Sequence, residues 1–315
     1  MTERTLPTFR IGPLLAAGLL VLAGLISLAV QYRCANAGAD QADWDRAAEL
    51  AVDLAQPSDG IRVHPTWSEA PLPAMKPLGN LLNRQHRPLL EDLLGIERLL
   101  ILSESNRSAQ ALKMLPFDAE SEEIHDLGTV QLLEVTIPQE LRIRHDLTSQ
   151  LSGADVAYVG DGDVQPCRWH RASGAWRCRG SREGAMVKPI LLEIEHEPRR
   201  CVQAFPPSGV RHLSVEMAIE EASDILRIRA GLDQRAARME RGQDVIYRLY
   251  VNDSKVADQR VDGHSSFWQA HDVPTAEFDG EPVDLRIEVE SIADDPHHRR
   301  FCFNAWPMTT TQASD

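Results

Sequence analysis

The chain has 315 residues, and its 33 Lys and Arg against 47 Asp and Glu give a formal net charge of −14 at pH 7. Apolar residues make up 43% and charged residues 25%, a balance typical of globular proteins rather than of disordered chains. The surplus of acid argues against nucleic acid as a partner, because phosphate binding needs a dense basic surface. The length predicts about two domains of roughly 150 residues each.

The N-terminal segment 11–30 contains no charged residue. About twenty helical residues span roughly 30 Å, the thickness of the hydrocarbon core of a bilayer. Arg4 and Arg10 precede the segment and Asp40 follows it, so the positive-inside rule predicts a cytoplasmic N-terminus and a periplasmic C-terminal part. We expect a single-pass anchor in a bacterial inner membrane; the alternative is a signal peptide cleaved after Ala37.

The next region, residues 38–163, alternates helical and strand-like patterns and predicts a small α/β domain with a Rossmann-like arrangement. A helix is expected over 44–54, with apolar residues at helical spacing. The continuous apolar run at 98–103 is typical of a buried parallel strand. The other strands expected here are 61–64, 130–137 and 156–159.

The pattern changes to period two in residues 164–308, which predicts an antiparallel β-sandwich of eight or nine short strands. Leu213, Val215 and Met217 alternate with polar residues, for example, and the same alternation recurs at 245–251 and 285–289. The tail, residues 309–315, is expected to be frayed. The predicted fold class is therefore α+β, with a transmembrane helix, an α/β domain and a jelly-roll sandwich.

Besides Cys34, the chain has four cysteines: Cys167, Cys178, Cys201 and Cys302. In an oxidising compartment they predict two disulfide bonds with three possible connectivities; four reduced thiols are the alternative. Cys167 and Cys178 flank a short stretch with a glycine, which favours a bridged hairpin. A bond from Cys201 to Cys302 would close a loop of about 100 residues and stabilise the fold by about 4–5 kcal/mol. Cys-x-x-Cys spacing is absent from the sequence, which argues against zinc and redox sites, and we predict no cofactor.

Two spaced signatures lie within the sandwich region, Gly231-Leu232-Asp233 and the stretch GQDVIYRLYVND at 242–253. They resemble the corresponding stretches of galactose-binding-like jelly-roll modules, especially a family of carbohydrate-binding modules, over about residues 205–308. Ser254 stands where that family has a turn glycine. The resemblance implies a jelly-roll fold and a sugar ligand. The whole chain also looks like membrane-anchored bacterial envelope proteins.

Polar side chains surround the C-terminal end of the first predicted strand, where open α/β sheets bind ligands. In a functional interpretation, His64 and Trp67 line this edge, with His64 as a general base and Glu69 as its partner. In the structural alternative, which we favour, Trp67 fills the core of a proline-rich loop.

The cysteine-flanked stretch carries a basic cluster with two indole rings. Guanidinium groups beside indoles suit phosphate, carboxylate or anionic glycan groups, and lipid headgroups as well. Alternatively, the stretch is a solvated hairpin whose arginines pair with acidic residues such as Asp118 and Glu123. The residues of the cluster are Arg168, Trp169, Arg171, Trp176, Arg177, Arg179 and Arg182.

The stretch Asp294, Asp295, His297 and His298 predicts a polar turn rather than a metal site, because adjacent side chains of an extended segment point to opposite sides. The common hydrolase, metalloprotease and nucleotide-binding motifs are absent from the sequence. We therefore predict a non-catalytic, membrane-anchored envelope protein that binds a glycan or a protein partner. The alternatives are an envelope hydrolase or transferase that uses the α/β domain, and a scaffold subunit of a membrane complex.

Overall fold

The computed structural model describes residues 20, 22–28, 38–79, 81–143, 145–160, 162–178, 186–205, 212–219, 223–239, 244–278, 281–291 and 300–309. Most of the predicted membrane segment, 11–30, lies outside this part of the chain. Within it, no helix is long and apolar enough to span a bilayer. The predicted tail also lies outside it, except for Thr309.

The N-terminal region is a helix packed on a four-stranded sheet. Helix α1 (Gln41–Leu54) begins where the Asp40 side chain accepts a hydrogen bond from the backbone N–H of Ala42 at 3.1 Å. Its buried face pairs Trp44 with small alanines, so the helix lies close to the sheet. The strands, in the order β1-β2-β4-β3, are β1 (Asp59–His64), β2 (Arg98–Glu104), β3 (Glu123–Asp126) and β4 (Val130–Thr136).

Strand directions in this sheet are mixed. Strands β1 and β2 are parallel, whereas β4 runs antiparallel to both β2 and β3. A Rossmann-like arrangement needs consecutive parallel neighbours. The sheet contains three of the four strands predicted for this region, at 61–64, 98–103 and 130–137, but it does not confirm a Rossmann-like domain.

The rest of the chain forms the predicted antiparallel β-sandwich. A seven-stranded sheet has the order β15-β12-β17-β10-β9-β8-β7, and a six-stranded sheet has the order β14-β13-β16-β11-β5-β6. The strands are β5 (Asp155–Gly160), β6 (Asp163–Pro166), β7 (Arg168–His170), β8 (Ala175–Arg177), β9 (Met186–Ile194), β10 (Glu197–Ala204), β11 (His212–Ile219), β12 (Ile225–Leu232), β13 (Val245–Val251), β14 (Ser254–Val261), β15 (Gln269–Pro274), β16 (Val283–Ser291) and β17 (Phe301–Met308).

Short helices lie between strands in both parts of the fold. They are α2 (Ser108–Lys113), α3 (Leu147–Gln150) and α4 (Gln234–Ala237), besides single turns such as Leu90–Leu93. Strand β5 precedes the domain boundary predicted after residue 163, yet it pairs with β11 in the six-stranded sheet. The sandwich thus includes strands from both sides of that boundary, whose position stays a prediction.

The seven-stranded sheet is the middle layer of the molecule. Phe301 and Phe303 of β17 pack towards the six-stranded sheet, whereas Cys302 and Trp306 pack towards the N-terminal sheet. A strand that is covered on both faces is apolar along nearly its whole length, which explains the run FCFNAWPM of β17. The two halves of the chain therefore share an apolar interface, and the polar residues inside that interface need a specific explanation.

Both predicted disulfide bonds are present, with the pairings that the sequence favours. Cys167–Cys178 brackets the β7–β8 hairpin, with the two Cα atoms 4.2 Å apart. Cys201–Cys302 joins the neighbouring strands β10 and β17 at a Cα separation of 5.7 Å. The second bond lies on the face that packs against the N-terminal sheet.

The β13–β14 turn explains why its sequence needs no glycine at Ser254. Asn252 and Asp253 have φ angles of 46° and 63°, so they form the two left-handed positions of a tight hairpin turn. Asn and Asp adopt this conformation more readily than other non-glycine residues. Ser254 is already the first residue of β14, where no glycine is needed.

Candidate functional site

A cavity of about 320 Å³ lies between the N-terminal sheet and the seven-stranded sheet. Loops after α1, β1 and the Leu90–Leu93 turn form one side, and β10 and β17 form the other. Its polar lining residues are Ser58, Asp59, Asn83, Gln85, Glu91, Asp92, Asp146, Arg200, Asn304 and Trp306.

Glu91 is a deeply buried carboxylate of this cavity, with 4% of its surface exposed. Its Oε1 atom accepts a hydrogen bond from Arg229 Nε at 2.7 Å and lies 3.6 Å from Arg227 Nη1. Arg227 in turn makes two hydrogen bonds to Asp272, at 2.9 and 3.0 Å. The other carboxylate oxygen, Oε2, is buried and has no hydrogen-bond partner in the described part of the chain.

Asp92, the next residue, is held between the two halves of the protein. It forms an ion pair with Arg199 of β10 and accepts a hydrogen bond from the backbone N–H of Leu89 at 2.8 Å. Burial raises the pKa of Asp92 to about 6, against the opposite effect of the Arg199 guanidinium. Asp92 therefore titrates in a range where most aspartates are fully ionised.

Asp146 connects helix α3 to the sandwich. One oxygen caps the helix by accepting from the backbone N–H of Ser149 at 2.9 Å. The other accepts from Thr148 Oγ1 at 2.5 Å and from Asn304 Nδ2 at 3.0 Å. Arg200 Nε donates to the same threonine hydroxyl at 2.9 Å, and its side chain is largely exposed.

Trp306 completes the lining from β17. Its indole Nε1 is buried, and no described residue accepts a hydrogen bond from it. Buried polar groups in folded proteins are nearly always hydrogen-bonded, and an unpaired one costs about 1–3 kcal/mol. Trp306 Nε1 and Glu91 Oε2 are therefore a donor and an acceptor, on two residues that line the cavity, without a hydrogen-bond partner in the described part of the chain.

His64 and Trp67 lie elsewhere, at the C-terminal end of β1. His64 is buried, with 5% of its surface exposed, while Trp67 is 68% exposed. The prediction that Trp67 fills a core is wrong, because Met75 and Leu78 cover the apolar side of β1 instead. The Arg107 guanidinium lies over the Trp67 ring, 5.7 Å from its centroid.

The proposed catalytic partnership of His64 with Glu69 is not observed, since no described hydrogen bond or ion pair joins them. Burial, together with the charges of Arg62 and Arg107, lowers the pKa of His64. Trp67 and Glu69 line a second cavity of about 300 Å³, and His64 does not.

The basic cluster forms a flat hairpin on the surface. Trp169 lies opposite Trp176 with ring centroids 5.6 Å apart, and Trp176 Nε1 donates to the Leu151 carbonyl at 2.8 Å. Arg168, Arg171 and Arg177 are exposed, and none of them has an ion-pair partner among the residues that the structure describes. The alternative pairing with Asp118 or Glu123 is absent from that part of the chain. Arg179 and Arg182 lie outside it.

Glu123, His125 and Glu134 on β3 and β4 bring three ligand-type side chains together. His125 Nε2 lies 2.8 Å from Glu134 and Nδ1 lies 3.8 Å from Glu123, while Arg98 donates to Glu134 at 2.6 Å. Glu134 is thus shared between the Arg98 guanidinium and the His125 ring, so its oxygens already have partners. The group is therefore explained by ion pairing. The stretch 294–298 lies outside the described residues.

No protein-family model and no curated protein matches this chain. Several solved structures align with part of it. One is the carbohydrate-binding module CBM51 from Clostridium perfringens GH95 in complex with methyl-galactose (TM-score 0.27, 17% identity, 38% of this chain and 77% of that chain). Another belongs to the carbohydrate-binding modules of the β-sandwich superfamily (0.30, 10%, 56% and 64%). A third is CBM51-2 with the INT domains of Clostridium perfringens ZmpB, in complex with GlcNAc (0.28, 12%, 60% and 40%).

Sequence reasoning missed most of the cavity. Its polar residues come from segments that are far apart in the chain. One local signal was available: Glu91 and Asp92 interrupt the apolar run LLEDLL. Two adjacent carboxylates inside such a run are either exposed or paired in the interior, and here they are paired.

Proposed function

We propose that the protein is a non-catalytic binding protein whose ligand is a glycan, held in the cavity between the N-terminal sheet and the seven-stranded sheet. The observation that carries this proposal is the pair of unsatisfied buried atoms, Trp306 Nε1 and Glu91 Oε2. A sugar hydroxyl both donates and accepts hydrogen bonds, so neighbouring hydroxyls of one ring would satisfy the indole donor and the carboxylate acceptor. The resemblance of residues 205–308 to carbohydrate-binding modules supports the same ligand class.

The size and charge of the cavity suit a neutral polar ligand. Its volume of about 320 Å³ is near the lower end of the range for ligand pockets, about 300–1,000 Å³, which is enough for one or two sugar rings. Three of its carboxylates lie against arginines: Asp59 against Arg98, Glu91 against Arg229, and Asp92 against Arg199. The net charge offered to a ligand is therefore small.

A binding role is favoured over hydrolysis because the cavity carboxylates already have structural partners. Glycoside hydrolysis needs two carboxyl groups that face each other across the scissile bond and are free to exchange protons. Asp146 caps α3 and bonds Asn304, and Asp92 is held by Arg199 and a backbone N–H.

We further propose that residues 11–30 anchor the protein in a bacterial inner membrane and that the described domains are periplasmic. The charge distribution around that segment supports the orientation, and two disulfide bonds support an oxidising compartment. Protease digestion of intact spheroplasts tests it: the C-terminal domains should be degraded from outside, and their protection would contradict the proposal.

A glycan panel and isothermal titration on the full-length protein in detergent test the ligand. We expect a neutral glycan to bind, and Trp306→Phe to weaken that binding about tenfold, because the ring remains while the N–H donor is lost. The matched control is Trp67→Phe, which changes an exposed indole outside the cavity. Silence across the panel, or equal affinities of the wild type and Trp306→Phe, would overturn the proposal.

A second candidate function concerns the arginine hairpin, which we define as residues 168–177. Three exposed arginines without ion-pair partners in the described chain favour contact with an anionic glycan, lipid headgroups or an acidic envelope protein. The double variant Arg171→Glu/Arg177→Glu should abolish sedimentation with anionic vesicles, binding to a sulfated polysaccharide, or co-purification with a membrane complex. Arg84→Glu, at an exposed site elsewhere, is the control. Unchanged behaviour in all three assays would exclude the hairpin.

A further inference from the structure

A second group of buried polar side chains lies at the C-terminal ends of β1 and β2. Arg62 and His64 are two residues apart on β1 and share one face of the sheet. They are 4% and 5% exposed, and His64 pairs in register with Ser103 of β2. Neither residue lines the cavity described above.

The Arg62 guanidinium is buried without a carboxylate in contact. Its Nη2 atom donates to the carbonyls of Gln85 and His86, at 3.1 and 3.4 Å. Its Nη1 atom has no partner within the described residues. Burial lowers the pKa of Arg62 to about 10, so the group is still charged at neutral pH. Buried charges in proteins are normally paired, and this one lacks its counter-charge.

The nearest acidic groups are already engaged. Glu197 accepts hydrogen bonds from the backbone N–H groups of His86 and Arg87, at 2.9 to 3.2 Å. Asp92 is ion-paired with Arg199. Both carboxylates act on Arg62 through space only.

His64 faces the same region and also has an open position. Its Nε2 atom is buried and has no partner among the described residues. Arg107 and His86 lie near enough, like Arg62, for their charges to act on the ring, and the Gln110 side chain is a hydrogen-bond partner of the ring. His86 is exposed, and its Nδ1 lies 2.9 Å from Thr66 Oγ1. The surroundings of His64 are therefore electropositive.

We propose that Arg62 and His64 form a binding site for a small oxyanion of the phosphate class, distinct from the glycan cavity. Arg62 Nη1 donates to one oxygen of the anion, and the neutral His64 donates to a second through Nε2–H. The anion supplies the counter-charge that the buried guanidinium lacks, and it satisfies both open donors together. Ligands bind at this edge of parallel strands in many α/β sheets.

Inorganic phosphate, titrated at constant ionic strength with chloride as the balancing salt, tests this site. We expect a saturable rise of the melting temperature of the full-length protein, because a ligand that binds only the folded state stabilises it. Arg62→Met should weaken phosphate binding at least tenfold. The matched control Arg87→Met removes an exposed arginine from the loop whose carbonyls contact Arg62, and it should bind like the wild type. Equal responses of the wild type and Arg62→Met, or no saturable response of the wild type, would overturn the proposal.

Nuclear magnetic resonance of the imidazole nitrogens gives a reading on the unmodified protein, in case Arg62→Met does not fold. The His64 Nε2 resonance is assigned by its loss in His64→Gln. Added phosphate should shift this resonance along a saturable curve, and a resonance that does not move would refute the site. Glu91→Gln should keep phosphate binding while it loses glycan binding. Failure of the glycan proposal is thus distinguishable from failure of the anion site.

Discussion

Asn304 on β17 donates its side-chain N–H to Asp146 at 3.0 Å, and both side chains are buried although 158 residues separate them in the chain. The same carboxylate caps helix α3, so one aspartate fixes a short helix to the middle sheet. A four-residue helix is too short to be stable by itself. The position of α3, and with it one wall of the cavity, therefore depends on this contact.

Asp146→Ala should lower the free energy of unfolding by about 2–3 kcal/mol. The substitution removes the helix cap and leaves the Asn304 amide buried without its partner, and each loss costs about 1 kcal/mol or more. Chemical denaturation measures the change. Asp163→Ala, at the exposed start of β6, is the control and should change stability little. A loss for Asp146→Ala no larger than the control's would contradict the role assigned to this contact.

The Arg229–Glu91 pair is the second test of the interface. Arg229→Met should destabilise the protein by about 3 kcal/mol, because the Glu91 charge stays buried with only the more distant Arg227 beside it. In the double variant with Glu91→Gln, the loss should be smaller than the sum of the single losses, since the buried charge is then gone. Additive losses in a double-mutant cycle would show that the two side chains are not coupled.

The sequence predicts the sandwich better than the N-terminal sheet, for a physical reason. Strands such as β13 and β16 have one face in the core and alternate strictly, so their pattern shows directly which residues are buried. The residue pattern does not show the direction of a strand. The run 130–136 indicates a strand, for example, but it does not indicate that β4 runs antiparallel to β2.

The cavity escapes prediction because its residues meet only through the packing of the two halves. Asp146 and Asn304 look like an ordinary helix cap and a polar strand residue when each is read locally. For Trp67 the sequence predicts too much rather than too little, because the proline-rich segment around it indicates a buried side chain. Its indole is exposed and covered in part by Arg107, because apolar residues later in the chain already fill the core.

Asp92 predicts a specific dependence of stability on pH. Its folded-state pKa of about 6 lies above the ordinary value of 3.8, so the folded protein holds this proton more tightly than the unfolded chain does. The contribution of Asp92 to stability is therefore greatest below about pH 4 and is lost as the pH rises through about 6. The free energy of unfolding of the wild type, relative to that of Asp92→Asn, should therefore fall by up to about 3 kcal/mol between pH 4 and 7. Denaturation at a series of pH values measures it, and a constant or growing advantage would contradict the raised pKa.

The two disulfide bonds should contribute unequally to stability. Cys201–Cys302 closes a loop with a sequence separation of 101, and Cys167–Cys178 one with a separation of 11. Loop-closure entropy predicts losses of about 4.7 and about 3 kcal/mol for the corresponding double alanine variants. Each variant is the control for the other, because both lose one buried bond. Equal losses of stability, or a larger loss for the short loop, would show that packing rather than chain entropy determines how much each disulfide bond contributes.

Gly231 of the sequence signature has a packing role that a single substitution can test. A Cβ atom at this position would lie 2.6 Å from the Phe267 carbonyl oxygen and 3.3 Å from the Trp268 ring, and a backbone oxygen cannot turn aside as a flexible side chain would. Gly231→Ala should therefore destabilise the protein by about 1–3 kcal/mol through overpacking. Gly153→Ala is the matched control, since a Cβ atom there meets no described atom within 4 Å. Thermal and chemical denaturation should separate the two variants clearly. Equal stability of both would mean that the loop before β15 moves to make room, and that this glycine is not required by close packing.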